Sequence, residues 1–196
     1  MPEKVKVLFL DRDGTIIYDR LGDYITRVEQ AHMIPMADDA IAKAKIAGFK
    51  IVIVSNQAGI AKGIVSKQVV EEINAYMQGM LAQKQAKYDF CYFAPYHPDY
   101  PNQEYEPYKT WRKPNIGMVV QAIQDMAKMG LEVDIEESYF IGDKQVDVAC
   151  GIRAGLRPIL VMTGYAEEDE CREKNTVPEY VAKDLYDAIV NYILPQ

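Results

Sequence analysis

Two aspartates, Asp11 and Asp13, follow the first apolar run of the chain, and two carboxylates at this spacing could bind a cation together. The run before them, residues 5–10, predicts a strand buried on both faces. Gly14 then permits a sharp turn. Residues at i and i+2 point the same way from a strand, and two carboxylates this close resist joint ionisation unless a cation lies between them. The pair therefore predicts a cation site, with two solvated loop aspartates as the alternative.

Other polar residues that suit a cation or a phosphoryl group follow later apolar runs. Ser55 comes directly after residues 50–54, and Asp143 and Lys144 follow residues 138–141 closely. If these runs are parallel strands, their carboxyl ends meet the aspartate pair at one rim of a sheet. Carboxylate oxygens suit Mg²⁺, whereas hydroxyls, amides and a lysine suit phosphate oxygens. The rim therefore predicts magnesium and phosphate chemistry.

The elements that must position these residues alternate along the chain. Two further strands are predicted at residues 90–93 and 158–161. Helical periodicity and capping residues predict helices at residues 37–47, 66–81, 116–130, 142–154 and 185–193. Alternation of strands and helices predicts an α/β protein with a Rossmann-like parallel sheet and helices on both faces.

Length and composition predict a globular protein with one domain, residues 1–196, and an irregular insertion at about residues 94–111. The chain is 49% hydrophobic and 26% charged, which is typical of a soluble protein. Its net charge of −7 argues against a nucleic-acid partner but allows a local basic pocket. We expect a monomer.

Cysteine usage and hydropathy predict the compartment. Cys91, Cys150 and Cys171 are sparse, odd in number and widely spaced, as expected in a reducing environment. No apolar stretch approaches the roughly 20 residues of a membrane span, and the first residues do not resemble a signal peptide. The sequence therefore predicts a cytoplasmic protein without a membrane partner.

Taken together and in order, the polar motifs resemble those of the haloacid dehalogenase (HAD) superfamily of phosphohydrolases. The matching positions are residues 11–15 (DRDGT), Ser55, Lys113 and residues 142–147 (GDKQVD). The surrounding sequences, SNQAGIAKG from residue 55 and RKPNIGM from residue 112, resemble the branch that contains heptose bisphosphate phosphatases, with histidinol-phosphate phosphatases as near relatives. The resemblance covers nearly the whole chain and implies a HAD-like fold.

The resemblance implies a reaction through an aspartyl-phosphate. Asp11 would be the nucleophile, and Asp13 would protonate the leaving oxygen and then deprotonate water. We expect partial burial and the charge of Asp11 to raise the pKa of Asp13, which helps it to hold a proton. Mg²⁺ would bind Asp11, Asp13 through its backbone carbonyl, and Asp143. Lys113 would stabilise negative charge on the phosphoryl oxygens.

The resemblance also implies a set of substrate-binding residues. They are Thr15, Ser55, Asn56, Gln57, Arg112, Lys113 and Lys144. Thr15 and Ser55 would contact phosphoryl oxygens, although hydroxyls also cap turns. Arg112 would bind a second phosphate or the sugar, because a guanidinium can donate two parallel hydrogen bonds. Asp147 has two readings, one as a support for the metal or Lys144 and one as a partner of a helix N-terminus.

The insertion at residues 94–111 differs from the corresponding segment of many members of the family. Many relatives carry zinc ligands in the form C-x-H and C-x-C, where this chain has APY at residues 94–96 and KTW at residues 109–111. We predict no zinc, because Cys91 and His97 cannot by themselves form a four-ligand structural site. Aromatic packing would order the loop instead. The aromatic residues are Tyr96, Tyr100, Tyr105, Tyr108 and Trp111.

The segments between the motifs are short, which implies a capless site whose selectivity depends on loops such as residues 18–28. The expected function is Mg²⁺-dependent hydrolysis of a sugar bisphosphate, with a heptose 1,7-bisphosphate as the first candidate. One alternative is hydrolysis of histidinol phosphate or another small phosphomonoester, and a nucleic-acid 3′-phosphate is disfavoured by the acidic charge. The alternative from another class is a phosphosugar-binding protein without turnover.

Overall fold

The computed structural model describes residues 2–196. Its strands are β1 (Glu3–Val5), β2 (Val7–Leu10), β3 (Lys50–Asn56), β4 (Phe90–Ala94), β5 (Leu131–Val133), β6 (Tyr139–Gly142), β7 (Arg157–Val161) and β8 (Tyr180–Ala182). Its α-helices are α1 (Ala37–Ile46), α2 (Ala58–Ala61), α3 (Lys67–Ala82), α4 (Gly117–Lys128), α5 (Gln145–Arg153) and α6 (Glu168–Glu173). No helix in this part of the chain has the length and apolar character needed to cross a membrane.

Six parallel strands form the main sheet in the order β4-β3-β2-β6-β7-β8. The central strand β2 pairs on one side with β3 and on the other with β6, so that Leu8 lies opposite Ile51 and Tyr139. The chain order therefore reverses at β2, and such a switch point leaves a crevice beyond the carboxyl ends of the strands. The predicted parallel α/β sheet is confirmed.

Each face of the sheet carries its own apolar core, because alternate residues of a strand point to opposite faces. Leu8 and Leu10 of β2 belong to the core that contains α1, α3 and the C-terminal segment. Val7 and Phe9 belong to the opposite core, which contains α4 and Cys150 of α5. The prediction of helices on both faces is confirmed, and β2 is fully buried as its composition required.

Several elements differ from the sequence-based expectations. The first apolar run is divided at Lys6, because Val5 pairs with Val133 in a separate two-stranded sheet, β1–β5. Helix α5 begins at Gln145, after Asp143 and Lys144 have left β6 in an extended loop. The C-terminal segment Asp187–Ile193 is a π-helix. The structure also contains β8, α2 and α6, which no clear periodic pattern in the sequence predicted.

The insertion at residues 94–111 contains one 3₁₀ turn, Glu106–Tyr108, and is held by aromatic contacts. The Trp111 ring lies edge-on to Tyr92 and Tyr108, with centroids 5.9 and 5.2 Å apart. Tyr105 packs on the small core of Ile60, Val65 and Val70, and Tyr96 is buried. The expected aromatic packing is therefore present, except that Tyr100 is 46% exposed.

Candidate active site

The carboxyl ends of β2, β3 and β6 bring the expected polar residues to one rim. Asp11 directly follows β2, and its backbone N–H donates to the Ile141 carbonyl of β6 at 2.9 Å. Ser55 lies near the end of β3, and Asp143 directly follows β6. Lys113 reaches the same rim from the loop before α4. Parallel pairing thus places groups that are far apart in sequence around Asp11.

Lys113 is the buried centre of this cluster. Its ammonium Nζ lies 2.7 Å from Asp11 Oδ1 and 2.7 Å from Asp147 Oδ1, and it donates to the Val54 carbonyl at 2.9 Å. Burial alone would lower the pKa of Lys113, but the charges of Asp11 and Asp147 raise it above its ordinary value. The lysine therefore stays charged and joins β2, β3 and α5 through one group.

Three glycines make room for the carboxylates. Gly14 has φ of +83°, and a Cβ there would lie 2.5 Å from Asp143 Oδ2. A Cβ on Gly164 would lie 2.1 Å from the same oxygen, and one on Gly142 would lie 2.4 Å from the Asp147 carboxylate. Side chains at these positions would displace the two aspartates, so all three glycines are needed for close approach, and Gly14 is also needed for its positive φ.

The carboxylates of Asp11, Asp143 and Asp147 fit a divalent cation. One ligand oxygen from each lies within 4.8 Å of the others, and all three residues are buried. Asp143 Oδ1 is buried without a hydrogen-bond partner among the described residues. Burial, then the charges of Asp11 and Asp147, raise the pKa of Asp143 to about 8. A hard cation among these oxygens would offset their repulsion and suit their chemistry.

A small cavity lies against two of these three carboxylates, those of Asp11 and Asp147, and Asp143 is not among the residues that line it. The cavity has a volume of about 30 Å³, and its lining also includes Lys113 and Ser55. That volume is sufficient for a water molecule or an ion. The cluster contains the carboxylates of the predicted ligands Asp11 and Asp143 and adds that of Asp147. Metal binding through the Asp13 carbonyl remains a prediction.

The Asp13 side chain is fixed by neighbouring donors. Arg12 donates from Nε and Nη2 to the two Asp13 oxygens at 3.0 and 2.9 Å, and Gln57 Nε2 donates to Oδ2 at 2.8 Å. Arg12 itself is only 1% exposed and donates from Nη1 to Asn74 of α3 at 2.8 Å.

These donors correct the expected pKa of Asp13. Burial raises it, but the Arg12 charge and the hydrogen bonds from Arg12 and Gln57 outweigh burial and lower the pKa below its ordinary value. The expectation of a raised pKa was therefore wrong, because the sequence did not reveal that Arg12 turns inward.

Residues 55–57 link the strand β3 to the other motifs. Asn56 accepts from the Lys113 backbone N–H at 2.9 Å and donates to the Lys113 carbonyl at 3.1 Å. Gln57 Nε2 also donates to Ser55 Oγ at 2.7 Å. Asn56 thus positions the Lys113 backbone, and Gln57 connects Ser55 to Asp13. A direct contact of Asn56 or Gln57 with substrate remains a prediction.

Thr15 and Lys144 have different surroundings. Thr15 is fully buried, and its hydroxyl has no hydrogen-bond partner in the part of the chain that the structure describes. Lys144 Nζ lies 3.1 Å from Asp19 Oδ2 and 4.2 Å from the centroid of the Tyr165 ring. Lys144 lines both the small cavity and a larger cleft beside it, whereas Thr15 lines neither.

A larger cleft of about 530 Å³ extends outward from Asp13. Its inner part is lined by Asp13, Gln57 and Lys144, and its lining also includes Arg112 and Lys62. The volume is typical of sites for small organic molecules. The site therefore combines a small acidic cavity with a polar cleft that could hold the rest of a phosphorylated substrate.

Comparisons with known proteins agree with this geometry. A family model described as HAD-hydrolase-like matches residues 110–188. The D-glycero-D-manno-heptose-1,7-bisphosphate 7-phosphatase of Chlorobaculum tepidum is 52% identical over 194 residues, which cover 99% of this chain and 97% of the relative. The chain belongs to the heptose bisphosphate phosphatase family of HAD-like hydrolases. As expected from its motifs, it is a HAD-like phosphatase.

Two further relatives extend the comparison within the HAD-like phosphatases. The D-glycero-beta-D-manno-heptose-1,7-bisphosphate 7-phosphatase of Escherichia coli is 33% identical over 165 residues, covering 84% of this chain and 83% of the relative. The crystal structure of D,D-heptose 1,7-bisphosphate phosphatase from B. bronchiseptica, complexed with magnesium and phosphate, superposes with a TM-score of 0.82. It is 25% identical, and the match covers 98% of this chain and 100% of that structure. The HAD-like fold is confirmed.

The sequence reasoning missed two parts of this HAD-like site. The pairing of Asp147 with Lys113 had one available signal, the position of Asp147 three residues after Lys144, where its Oδ2 accepts from the Lys144 N–H at 3.0 Å at the start of α5. The contact from Arg12 to Asn74 had no local signal, because 62 residues separate the two.

Proposed function

We propose that this protein is a Mg²⁺-dependent phosphatase that removes the 7-phosphate of D-glycero-D-manno-heptose 1,7-bisphosphate. The observation that carries the proposal is the buried cluster of Asp11, Lys113, Asp143 and Asp147 in a chain 52% identical to a phosphatase named for this substrate. The cluster supports the chemistry, and the identity supports the sugar.

In the proposed first step, a carboxylate oxygen of Asp11 attacks the phosphorus in line with the leaving oxygen. A bond from Asp11 to phosphorus forms as the bond from phosphorus to the sugar oxygen breaks. Asp13 gives the sugar oxygen the proton that it took from water in the second step of the preceding turnover. Lys113, already 2.7 Å from Asp11 Oδ1, can exchange one of its protein acceptors for a phosphoryl oxygen and stabilise its charge.

In the second step, water attacks the aspartyl-phosphate and Asp13 takes its proton. The bond from Asp11 to phosphorus breaks, which restores the carboxylate and releases phosphate. The contacts from Arg12 and Gln57 favour the ionised Asp13, the form that accepts this proton. Their hydrogen bonds also hold the carboxylate in one orientation for both steps.

Mg²⁺ would be held by Asp11, Asp143 and Asp147, with the Asp13 carbonyl as the further family-based ligand. When bound, the ion would offset the charge of the carboxylates and of the phosphoryl oxygens. Support for this choice comes from the unpartnered Asp143 oxygen and from the magnesium in the related B. bronchiseptica structure.

Arg112 is our proposed ligand for the second phosphate. Its side chain lines the cleft and makes one long hydrogen bond, to the Tyr96 carbonyl at 3.4 Å. Burial lowers the pKa of Arg112, yet a guanidinium remains charged at neutral pH. The rest of the proposed substrate set comes from the family resemblance and consists of Thr15, Ser55, Asn56, Gln57, Lys113 and Lys144.

The decisive experiment is phosphate release from a panel of heptose, hexose and histidinol phosphates with Mg²⁺. We expect the highest kcat/KM for the heptose 1,7-bisphosphate and a fall on the order of 10⁴-fold in Asp11→Asn. Asp169→Asn, at an exposed position, is the matched control. Preference for histidinol phosphate would select that alternative, and absence of release from every compound would favour a phosphosugar-binding protein.

The insertion at residues 94–111 is proposed to fold without zinc. Its aromatic contacts, above all Trp111 against Tyr92 and Tyr108, give the loop a means of ordering that needs no metal. Metal analysis of the purified protein tests this directly. One zinc ion per chain would contradict the proposal, whereas zinc at trace level, with an unfolding temperature that a zinc-selective chelator leaves unchanged at constant Mg²⁺, would support it.

We further propose that the chain acts as one domain and as a monomer in the cytoplasm. The main sheet spans residues 7–182 and includes segments on both sides of the insertion. Light scattering of the purified protein tests the monomer, and a mass twice that of the chain would refute it.

A further inference from the structure

The cleft has a positively charged outer end that the proposed chemistry at Asp11 does not use. Lys62 and Arg112 both line the cleft, and within residues 2–196 neither lies within 4.0 Å of a carboxylate. Burial and the charges of Arg112 and Lys62 together lower the pKa of His97, which places the three basic groups near one another. The acidic group beside them is Asp99, whose Oδ2 lies 3.9 Å from His97 Nδ1 and whose side chain is 81% exposed to solvent, so that water screens its charge.

The acidic residues of the cleft do not neutralise this end, because each has another partner. Asp19 lies 3.1 Å from Lys144 Nζ, and Asp23 lies 2.9 Å from Arg20 Nη2. Glu167 accepts from the Gln145 N–H at 2.8 Å. The charges of Lys62 and Arg112 therefore remain available for an anion that enters the cleft.

Lys62 is held in place by two aromatic rings. Its Nζ lies 5.5 Å from the centroid of Tyr24 and 5.2 Å from that of Tyr100, distances that permit cation–π attraction. The Tyr24 side chain also raises the pKa of Lys62 above its ordinary value. A flexible lysine is thereby restricted to the mouth of the cleft, which reduces the entropy lost when it binds a ligand.

The position of Tyr24 depends on a glycine of the SNQAGIAKG segment. A Cβ on Gly59 would lie 2.9 Å from Tyr24 Cδ1 and 2.9 Å from Val65 Cγ1. Only glycine therefore allows Tyr24 to pack against the short helix α2, which ends one residue before Lys62. Packing of Tyr24 on this segment therefore brings the loop at residues 18–28 close to Lys62.

We propose that Lys62 is a specificity-determining residue that binds, together with Arg112, the phosphate of a sugar bisphosphate that is not hydrolysed. This inference rests on the proposed function and adds to it a second cation and its aromatic support. An ammonium has three donors, and hydrogen bonds between a charged donor and a phosphate are stronger than neutral ones. A sugar with a single phosphate at Asp11 would leave the outer pair without a ligand.

The test compares D-glycero-D-manno-heptose 1,7-bisphosphate with the 7-phosphate, which lacks the second phosphate. In Lys62→Met we expect KM for the bisphosphate to rise about 10-fold, with kcat and the KM for the 7-phosphate changed by less than about 2-fold. Lys62→Arg should restore most of the affinity because the charge is kept. Lys67→Met, at an exposed lysine that begins α3, is the control.

A binding measurement separates this inference from the proposed function. Calorimetric titration with heptose 1-phosphate, the expected product, should give a Kd about 10-fold weaker in Lys62→Met than in the wild type. A wild type that does not hydrolyse the bisphosphate would refute the proposed substrate, while the titration would still test Lys62. Equal Kd values, or an equal ratio of KM values for the two sugars in both proteins, would overturn the inference.

Discussion

The two ends of the cleft each contain a lysine, and the two lysines are held by different kinds of contact. At the inner end, Lys113 is 3% exposed and lies 2.7 Å from both Asp11 and Asp147. At the outer end, Lys62 is half-buried and lies more than 5 Å from the centroids of the rings of Tyr24 and Tyr100. Strand ends and close glycine contacts fix the inner groups, whereas loops and aromatic faces hold the outer one. The comparison indicates that the reaction and the choice of substrate depend on separate parts of the fold.

This separation can be tested by measuring whether a substitution changes stability, kcat or KM. Changes at the inner end should affect stability or kcat for every substrate, because buried charges there depend on one another. Changes near the outer end should alter KM according to the substrate. The following variants are ordered from the largest expected effect to the smallest.

Lys113→Met should cause the largest loss of stability. It leaves Asp11 and Asp147 buried without their shared cation, which costs about 3–5 kcal/mol of the free energy of unfolding. Urea denaturation measures the loss, and Lys128→Met, at a lysine whose side chain is 72% exposed, should change it by less than about 0.5 kcal/mol. If Lys113→Met does not fold, Asp147→Asn offers a milder version. A loss below about 1 kcal/mol in both would show that the inner charges are not coupled.

Arg12→Met should lower kcat strongly while leaving substrate affinity nearly intact. Without Arg12, the Asp13 carboxylate loses two hydrogen bonds and its fixed orientation, so we expect kcat to fall about 100-fold and KM to change less than about 2-fold. Asn74→Ala, which removes the support behind Arg12, should have a smaller effect of the same kind. Partial recovery in Arg12→Lys would separate charge from packing, and an unchanged kcat in Arg12→Met would refute the role.

Asp143→Asn should stabilise the metal-free protein and abolish its response to Mg²⁺. Burial and the charges of Asp11 and Asp147 disfavour an ionised Asp143, so removing its charge should raise Tm in EDTA by about 2–4 °C. Added Mg²⁺ should raise the Tm of the wild type but not that of the variant. Asp169→Asn serves as the control, and a variant that still responds to Mg²⁺ would place the ion elsewhere.

Trp111→Leu should have the smallest and most selective effect. The substitution removes two edge-to-face contacts, worth roughly 0.5–1.5 kcal/mol each, from the insertion beside Arg112. We expect Tm to fall by a few degrees and KM to rise for the heptose bisphosphate, with no change in kcat for a small aryl phosphate. An equal loss of kcat on both substrates would break the distinction between the two ends.

The sequence was sufficient for the parts of the fold that follow from local patterns. The composition of buried strands such as β2 and β3 is sufficient to predict them. The parallel pairing of β2 with β3 and with β6 brings Asp11, Ser55 and Asp143 to one rim. The recognition of the family followed from the same residues. These features depend on short segments whose preferences agree with the whole structure.

The remaining parts depend on contacts between distant segments. Arg12 is the clearest example, because an arginine beside two aspartates could equally have faced solvent, and only the burial of Asn74 on α3 turns it inward. The division of the first apolar run follows from the pairing of Val5 with Val133, which no local pattern records. The site residues that bind substrate remain predictions for the same reason, since side-chain partners are set by tertiary packing.

The ammonium of Lys113 also bears on how the enzyme is assembled. Repulsion among three buried carboxylates would destabilise the folded state. The ammonium of Lys113 reduces this repulsion, because it contacts two of them, Asp11 and Asp147. The polypeptide can therefore complete its fold before any ion arrives, with the lysine acting as an internal counterion. Maturation and metal loading become successive events, so that chelation should yield an intact, reversibly inactive protein that regains turnover when Mg²⁺ is returned.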